Sequence, residues 1–167
     1  MIQPGVAEYG EPCRECGFGW RQPYEQVLAE HDRIHHGYAD AVTAQSYRAR
    51  IDALAWSVGE YVCHVADNEH IWVERFAALP KMAEPRVAPY DQNALAAARH
   101  YPEIPYEAAM GSLRRAHGDF THAVNALPAG MEFHHPEAGT LTALGALRVP
   151  VHECHHHLWD IRRILAG

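Results

Sequence analysis

The residues best suited to chemistry lie near the C-terminus, where the run His152 to His157, HECHHH, places four histidines, a glutamate and a cysteine in six positions. Imidazole nitrogens, carboxylates and thiolates are the side-chain ligands of zinc, nickel, iron and manganese, so the first chemistry to consider is metal binding. On a helix residues four apart share a face, which makes His152 with His156 one gripping pair and Glu153 with His157 another. His64, within CHVADNEH, is a third candidate from a distant part of the chain. Cys13 and Cys16 form a CxxC, half of a typical zinc site, which needs two further ligands from elsewhere.

These side chains must be carried by helices. Apolar residues at Tyr24, Val27, Leu28, Ile34 and Tyr38 predict a first helix opening near Pro23 and running through YEQVLAEHDRIHHGYADAVTA. Ser57 and Glu60 form a capping-box pattern that starts a second helix, ended near Leu79 by Pro80. The stretch from Lys81 to Pro105 is read as a long connection with a short helix around NALAAARHY. A third helix is expected from about Tyr106 to Leu127, with Leu113, His117, Phe120, Val124 and Leu127 on one stripe. After a PAGMEFHHPEAG loop, Thr140 is expected to cap a fourth helix reaching about Leu165, bent locally at Pro150. The fold class this predicts is all-α, an antiparallel four-helix bundle with a crossover connection.

Helical geometry sorts the ligands. Leu147, Val151, Cys154, Leu158, Ile161 and Leu165 form the apolar stripe of the fourth helix, with Glu153 and His157 on its flank, roughly 80° to 120° away. His152 and His156 fall nearly opposite the stripe. On the second helix Val58, Tyr61, Val62, Val65, Trp72 and Phe76 make the buried stripe and His64 lies at its edge, placed to face Glu153 and His157. Two imidazoles and one carboxylate leave coordination positions open, which suits a catalytic site. The competing reading is a solvated polar face with no ligand role.

Composition narrows the function classes. A net charge of -7 over 167 residues opposes binding to nucleic acid, itself a polyanion. No apolar run approaches the roughly 18 residues of a membrane span. The opening MIQPGVAEYGEP has no basic stretch followed by an apolar one, so a cytoplasmic location is expected. One domain covering 1–167 is expected, with 1–22 as an irregular N-terminal arm. Four scattered cysteines do not suggest a disulfide scaffold.

The string WSVGEYVCHVADNEHIWVERF resembles the second helix of DinB/YfiT-like proteins, and HECHHHLWDI is similar to the ligand pattern of that family's last helix. The resemblance covers about residues 20 to 165. It implies the bundle, a divalent metal (Zn, Ni, Fe or Mn), and His64, Glu153 and His157 as its ligands, with His152 and His156 as the alternative pair. Glu153 stands where many members have histidine, which shifts preference somewhat towards Fe(II), Mn(II) or Ni(II). The implied chemistry is transfer of a low-molecular-weight thiol, mycothiol or bacillithiol, to an electrophile, the metal making the thiolate accessible near neutral pH. Hydrolysis through a metal-activated water and a non-catalytic metal- or ligand-binding bundle are the alternatives. A small-molecule substrate and a homodimer are the partners it implies.

Around the centre, Asp67, Asn68 and Asp160 stand within a turn of the candidate ligands and are expected to orient them or a bound water. His31, His35 and His36 with Glu30 and Asp32 make a second polar group with no partner motif in view. His134 and His135 are placed in a loop that could overhang the pocket. Cys63 and Cys154 are read as small core residues.

Overall fold

The computed structural model describes residues 5–128, 130–136 and 139–167. Its helices are α1 (Val6–Tyr9), α2 (Tyr24–Ala41), α3 (Val58–Ala78), α4 (Gln92–Ala98), α5 (Tyr106–Asn125) and α6 (Ala143–Ala166), joined by short 3-10 turns at Leu79–Lys81 and Tyr101–Glu103. The long ones make a four-helix bundle. α2 packs on α6 and α5, and α3 packs on α5 and α6. Consecutive α2 and α3 therefore stand on one diagonal, and α5 and α6 on the other, so the connection from Ala41 to Val58 crosses the bundle. Among the described residues no helix is long and apolar enough to cross a membrane.

Local chemistry explains the boundaries. At the start of α3 the Ser57 side chain accepts from the Glu60 amide, while the Glu60 carboxylate accepts from the Ser57 amide at 2.9 Å. This reciprocal cap satisfies two of the donors that a helix start leaves unpaired. Val58, Val62, Val65, Trp72 and Phe76 then turn their side chains into the core. α6 runs through Pro150 without ending, its stripe built from Leu147, Val151, Cys154, Leu158 and Ile161. Ile164 continues that stripe into the core, whereas Leu165, expected there, is exposed.

Two local expectations are corrected. The segment before α6 is an antiparallel hairpin, β1 (Glu132–His135) with β2 (Gly139–Thr142), in which Phe133 pairs with Leu141 and both are buried. Four-residue strands are too short for alternation to stand out from a loop. His134 is bound edge-on to the preceding connection, its amide donating to the Pro85 carbonyl at 2.9 Å and its carbonyl accepting from the Val87 amide at 3.0 Å. The helix cap is Thr142, which accepts from the Gly145 amide at 3.1 Å. Thr140 lies in β2, paired with His134.

The N-terminal arm is less loose than its composition suggests. Cys13, Phe18 and Trp20 are each at most 2% exposed and join the core. Arg148 of α6 donates to the Gln22 carbonyl, and the Tyr9, Phe18 and Trp20 rings lie against α6 at His152.

The crossing segment meets α3 at Gly59, whose amide donates to the Tyr47 carbonyl at 2.8 Å. A Cβ at Gly59 would stand 2.5 Å from the Tyr47 ring, which is buried and tied through its hydroxyl to the Ile104 carbonyl. Alanine would gain about 1 kcal/mol in helix propensity, but the ring has no room to retreat and overpacking costs about 1–3 kcal/mol. On balance Gly59→Ala should destabilise the fold, by up to about 2 kcal/mol. Urea unfolding followed by circular dichroism checks this, and an unchanged or raised midpoint would contradict it.

Candidate metal centre

His64 projects from α3 and Glu153 and His157 from α6, and one ligand atom from each lies within 4.8 Å of the others. His157 Nε2 is 3.3 Å from Glu153 Oε2, and His64 Nε2 is 3.7 Å from the same oxygen, too far for a hydrogen bond. His64 is 1% exposed, and neither of its ring nitrogens has a hydrogen-bond partner. A buried imidazole left in this way is costly unless something else uses its lone pair. Trp56 packs on His64 and Tyr61 on His157, so aromatic faces fix both rings. His157 Nδ1 donates to Asp160 Oδ2 at 3.1 Å, which leaves Nε2 turned towards Glu153. A carboxylate on the far nitrogen is the usual device for orienting a ligand imidazole.

The electrostatics suit a cation. Burial lowers the His64 pKa, keeping the ring neutral. Burial opposes ionisation of Glu153, but the close His157 and His64 rings hold its carboxyl well below the ordinary range. Burial would likewise lower His157, yet Asp160 and Glu153 together raise it to about 9. A neutral imidazole, an anionic carboxylate and an imidazole whose proton is held between two acids make a set that a divalent ion would complete.

Glu153 forms one wall of a cleft of about 390 Å³ bounded by Trp72, Tyr90, Arg75 and His135. Asn68 also lines it, donating from Nδ2 to the Tyr90 hydroxyl at 2.8 Å while its Oδ1 has no partner. Asp67 faces away into a different network, accepting from Arg99 at 2.8 Å and from the Tyr101 hydroxyl at 2.7 Å. It anchors the α4 connection to α3 and makes no hydrogen bond to His64. Of the two hairpin histidines, His135 stacks on Trp72 and lines the cleft, whereas the alternation along β1 turns His134 to the exposed face.

His152 and His156 do not join this group. They point the other way, under the N-terminal arm, where Cys13 and Cys16 approach them. His155 takes a third direction, with Nε2 3.3 Å from Glu30 of α2.

A profile of the DinB superfamily matches residues 30–161, and the chain belongs to that family. It is similar to YfiT of Bacillus subtilis (strain 168), assigned provisionally as a metal-dependent hydrolase, at 25% identity over 87% of this chain and 82% of YfiT. The solved YfiT structure, a four-helix bundle of unusual topology, superposes with a TM-score of 0.70 at 23% identity, covering 86% of this chain and 84% of that one. A mycothiol-dependent maleylpyruvate isomerase shares the fold with a TM-score of 0.67 at 16% identity, over 84% of this chain and 61% of the isomerase.

Glu69 was not singled out by sequence reasoning, although it continues the α3 stripe between Val65 and Trp72 at helical spacing. It is completely buried, and its Oε1 meets His31 Nε2 at 2.5 Å, His35 Nε2 at 2.7 Å and the Cys154 thiol at 3.3 Å. Both imidazoles spend their Nε2 protons on one oxygen instead of aiming lone pairs at a common point, so these hydrogen bonds account for the His31, His35 and Cys154 contacts. His36 stays exposed beside Asp32. His117 of α5 stacks on His35 at 4.0 Å, and burial, then His35 and His31, lower its pKa to about 4. Although burial alone would raise the Glu69 carboxyl, hydrogen bonds from His31 and His35 hold it down to about 2. Glu69→Ala should cost about 3 kcal/mol at pH 7, because two buried imidazoles lose their acceptor. A depressed folded pKa contributes stability that is complete above the ordinary value of 4.5 and fades as pH falls towards about 2. Denaturant titrations at stepped pH should show the wild type and the variant converging in acid, and a pH-independent gap would contradict the assignment.

Proposed function

We propose that this protein is a divalent-metal-dependent enzyme that joins a low-molecular-weight thiol of the mycothiol or bacillithiol type to a small electrophile. The observation that carries the reading is the meeting of His64, Glu153 and His157 beside the cleft, with both His64 nitrogens buried and unpartnered. Among the described residues that line the cleft there is no serine, threonine or cysteine, which favours a nucleophile brought by a co-substrate or drawn from solvent. An ion of zinc, nickel, iron or manganese held by these donors would supply a Lewis acid that lowers the pKa of a thiol or water. The chain's own part is positional. Asp160 sets the His157 ring, Trp56 and Tyr61 hold the two imidazoles, and the Trp72 and Tyr90 rings wall the cleft. Asn68 keeps Oδ1 available to accept a hydrogen bond from a bound molecule.

The mycothiol-dependent isomerase with this fold supports a thiol co-substrate. A second reading, hydrolysis, is favoured by the likeness to YfiT over most of both chains. The two separate in a single assay series in which metal-loaded protein is given electrophiles with and without a thiol. Conjugates that form only with thiol support the first reading, and turnover in water alone supports the second.

Elemental analysis of the untagged protein should show metal content lower by one equivalent in both His64→Ala and His157→Ala. Asp160→Asn should keep the fold but weaken metal affinity about 10- to 100-fold, the usual cost of losing the partner of a ligand histidine. If His64→Ala and His157→Ala match the wild type in metal content and in uptake of Zn(II), Ni(II), Mn(II) and anaerobic Fe(II), the enzyme reading falls.

A further inference from the structure

We propose that Cys13, Cys16, His152 and His156 form a second metal site, a Cys2His2 zinc centre that locks the N-terminal arm onto α6. The four side chains come from opposite ends of the chain, yet one donor atom from each lies within 4.8 Å of the others. Cys13 Sγ and His156 Nδ1 are 4.0 Å apart. With zinc bonds of about 2.3 Å to sulfur and 2.0–2.1 Å to nitrogen, a tetrahedron has edges of about 3.3–3.8 Å. The group needs to draw in by about an ångström at its widest to close around an ion.

The surroundings are those of a built site. His152 is 2% exposed and enclosed by the Trp20, Tyr9 and Phe18 rings at 4.4, 4.7 and 5.5 Å, and its Nε2 is buried with no hydrogen-bond partner. An imidazole nitrogen abandoned among aromatic rings costs stability unless its lone pair is used. His156 has its two nitrogens divided, Nδ1 towards Cys13 and Nε2 3.3 Å from the Glu15 carboxylate. That is the arrangement of a ligand histidine oriented by an acid, and Glu15 lies between the two cysteines in sequence.

The arm's backbone is wound for the purpose. The Gly17 amide donates to the Cys13 carbonyl at 2.9 Å and the Cys13 amide to the Phe18 carbonyl at 2.8 Å, closing a tight turn around CRECG. Gly17 makes this turn at φ 78, in the left-handed region where a side chain would be strained. The turn brings Cys13 and Cys16 to one side, and the i,i+4 spacing brings His152 and His156 to meet them.

Charge balance favours the same four ligands. Zinc binding releases the two thiol protons to solvent, and two thiolates with two neutral imidazoles balance the ion at zero net charge, as burial requires. The set is complete with four protein ligands, so the centre has no open position and its role is structural. It is independent of the His64, Glu153 and His157 group, which contains no sulfur.

The test uses the full untagged chain. In a His64→Ala/His157→Ala background one equivalent of zinc should remain, and adding Cys13→Ser and Cys16→Ser should remove it. Replacement by Co(II) should give sulfur-to-cobalt charge transfer and the intense d–d bands of a tetrahedral ion. These should survive Cys154→Ser and vanish in Cys16→Ser and His156→Gln. Should the double cysteine variant fail to fold, chelation of the wild type gives the same reading: trypsin should gain access to Arg14 and Arg21 while the helical signal persists. Zinc content indifferent to both cysteines, cobalt bands lost instead in Cys154→Ser, or a Cys13–Cys16 disulfide in freshly purified protein would each overturn the proposal.

Discussion

A single buried oxygen joins three of the four long helices. Glu69 Oε1, on α3, takes hydrogen bonds from two α2 imidazoles and one α6 thiol, and α5 adds His117 stacked on one of those imidazoles. A charge removed from water is tolerable only when its partners are close and numerous, so this carboxylate constrains the helices to one mutual arrangement. Apolar stripes alone would allow α2 and α6 to slide or rotate on one another with modest loss, because burial is not directional. The polar knot removes that freedom. Cys154 stands beside Glu153 on α6 and Glu69 lies on the helix that carries His64, so the same knot ties together the two helices that hold the candidate ligands.

α6 then distributes its side chains around the whole of its circumference. Glu153 and His157 face α3, Cys154 reaches the Glu69 oxygen, His155 meets Glu30 of α2, and His152 and His156 pass beneath the arm. A helix whose polar side chains are engaged on several faces beside its apolar stripe is unusual in a bundle, where one face normally meets solvent. The arm makes it possible by covering the face that would otherwise be wet. Its aromatic residues replace water around His152, and Arg148 ties its end to the helix.

Much of this was legible in the sequence, and the limits follow from the range of the interactions. Ser57 and Glu60 mark the start of α3 because a capping box is a local contract within one turn. The direction of Glu153 and His157 follows from a rotation of about 100° per residue, again a local property. Contacts between distant residues leave no such trace. Cys13 and His156 stand 143 positions apart, and the arm has no periodicity to say which helix it covers. Helical rotation puts His152 and His156 opposite the apolar stripe, as an alternative ligand pair or a solvated face, and nothing local shows that the chain's other end occupies that side. Glu69 was hidden for the opposite reason, since an acid on an apolar stripe reads as an exception until its two histidine partners are in view. The hairpin escaped because its strands are only four residues each.

The crowding of different duties into six consecutive positions bears on how this segment can change. Replacing one side chain between His152 and His157 disturbs one neighbourhood and leaves the others in place. Deleting a residue just ahead of them turns every later side chain by about 100°. Glu153 and His157 would then stand where His152 and His156 now meet the cysteines, and Cys154 would face His64. Insertions and deletions here would scramble all the pairings at once, so the spacing of the segment, more than the identity of any one residue in it, keeps the separate chemistries from trading places.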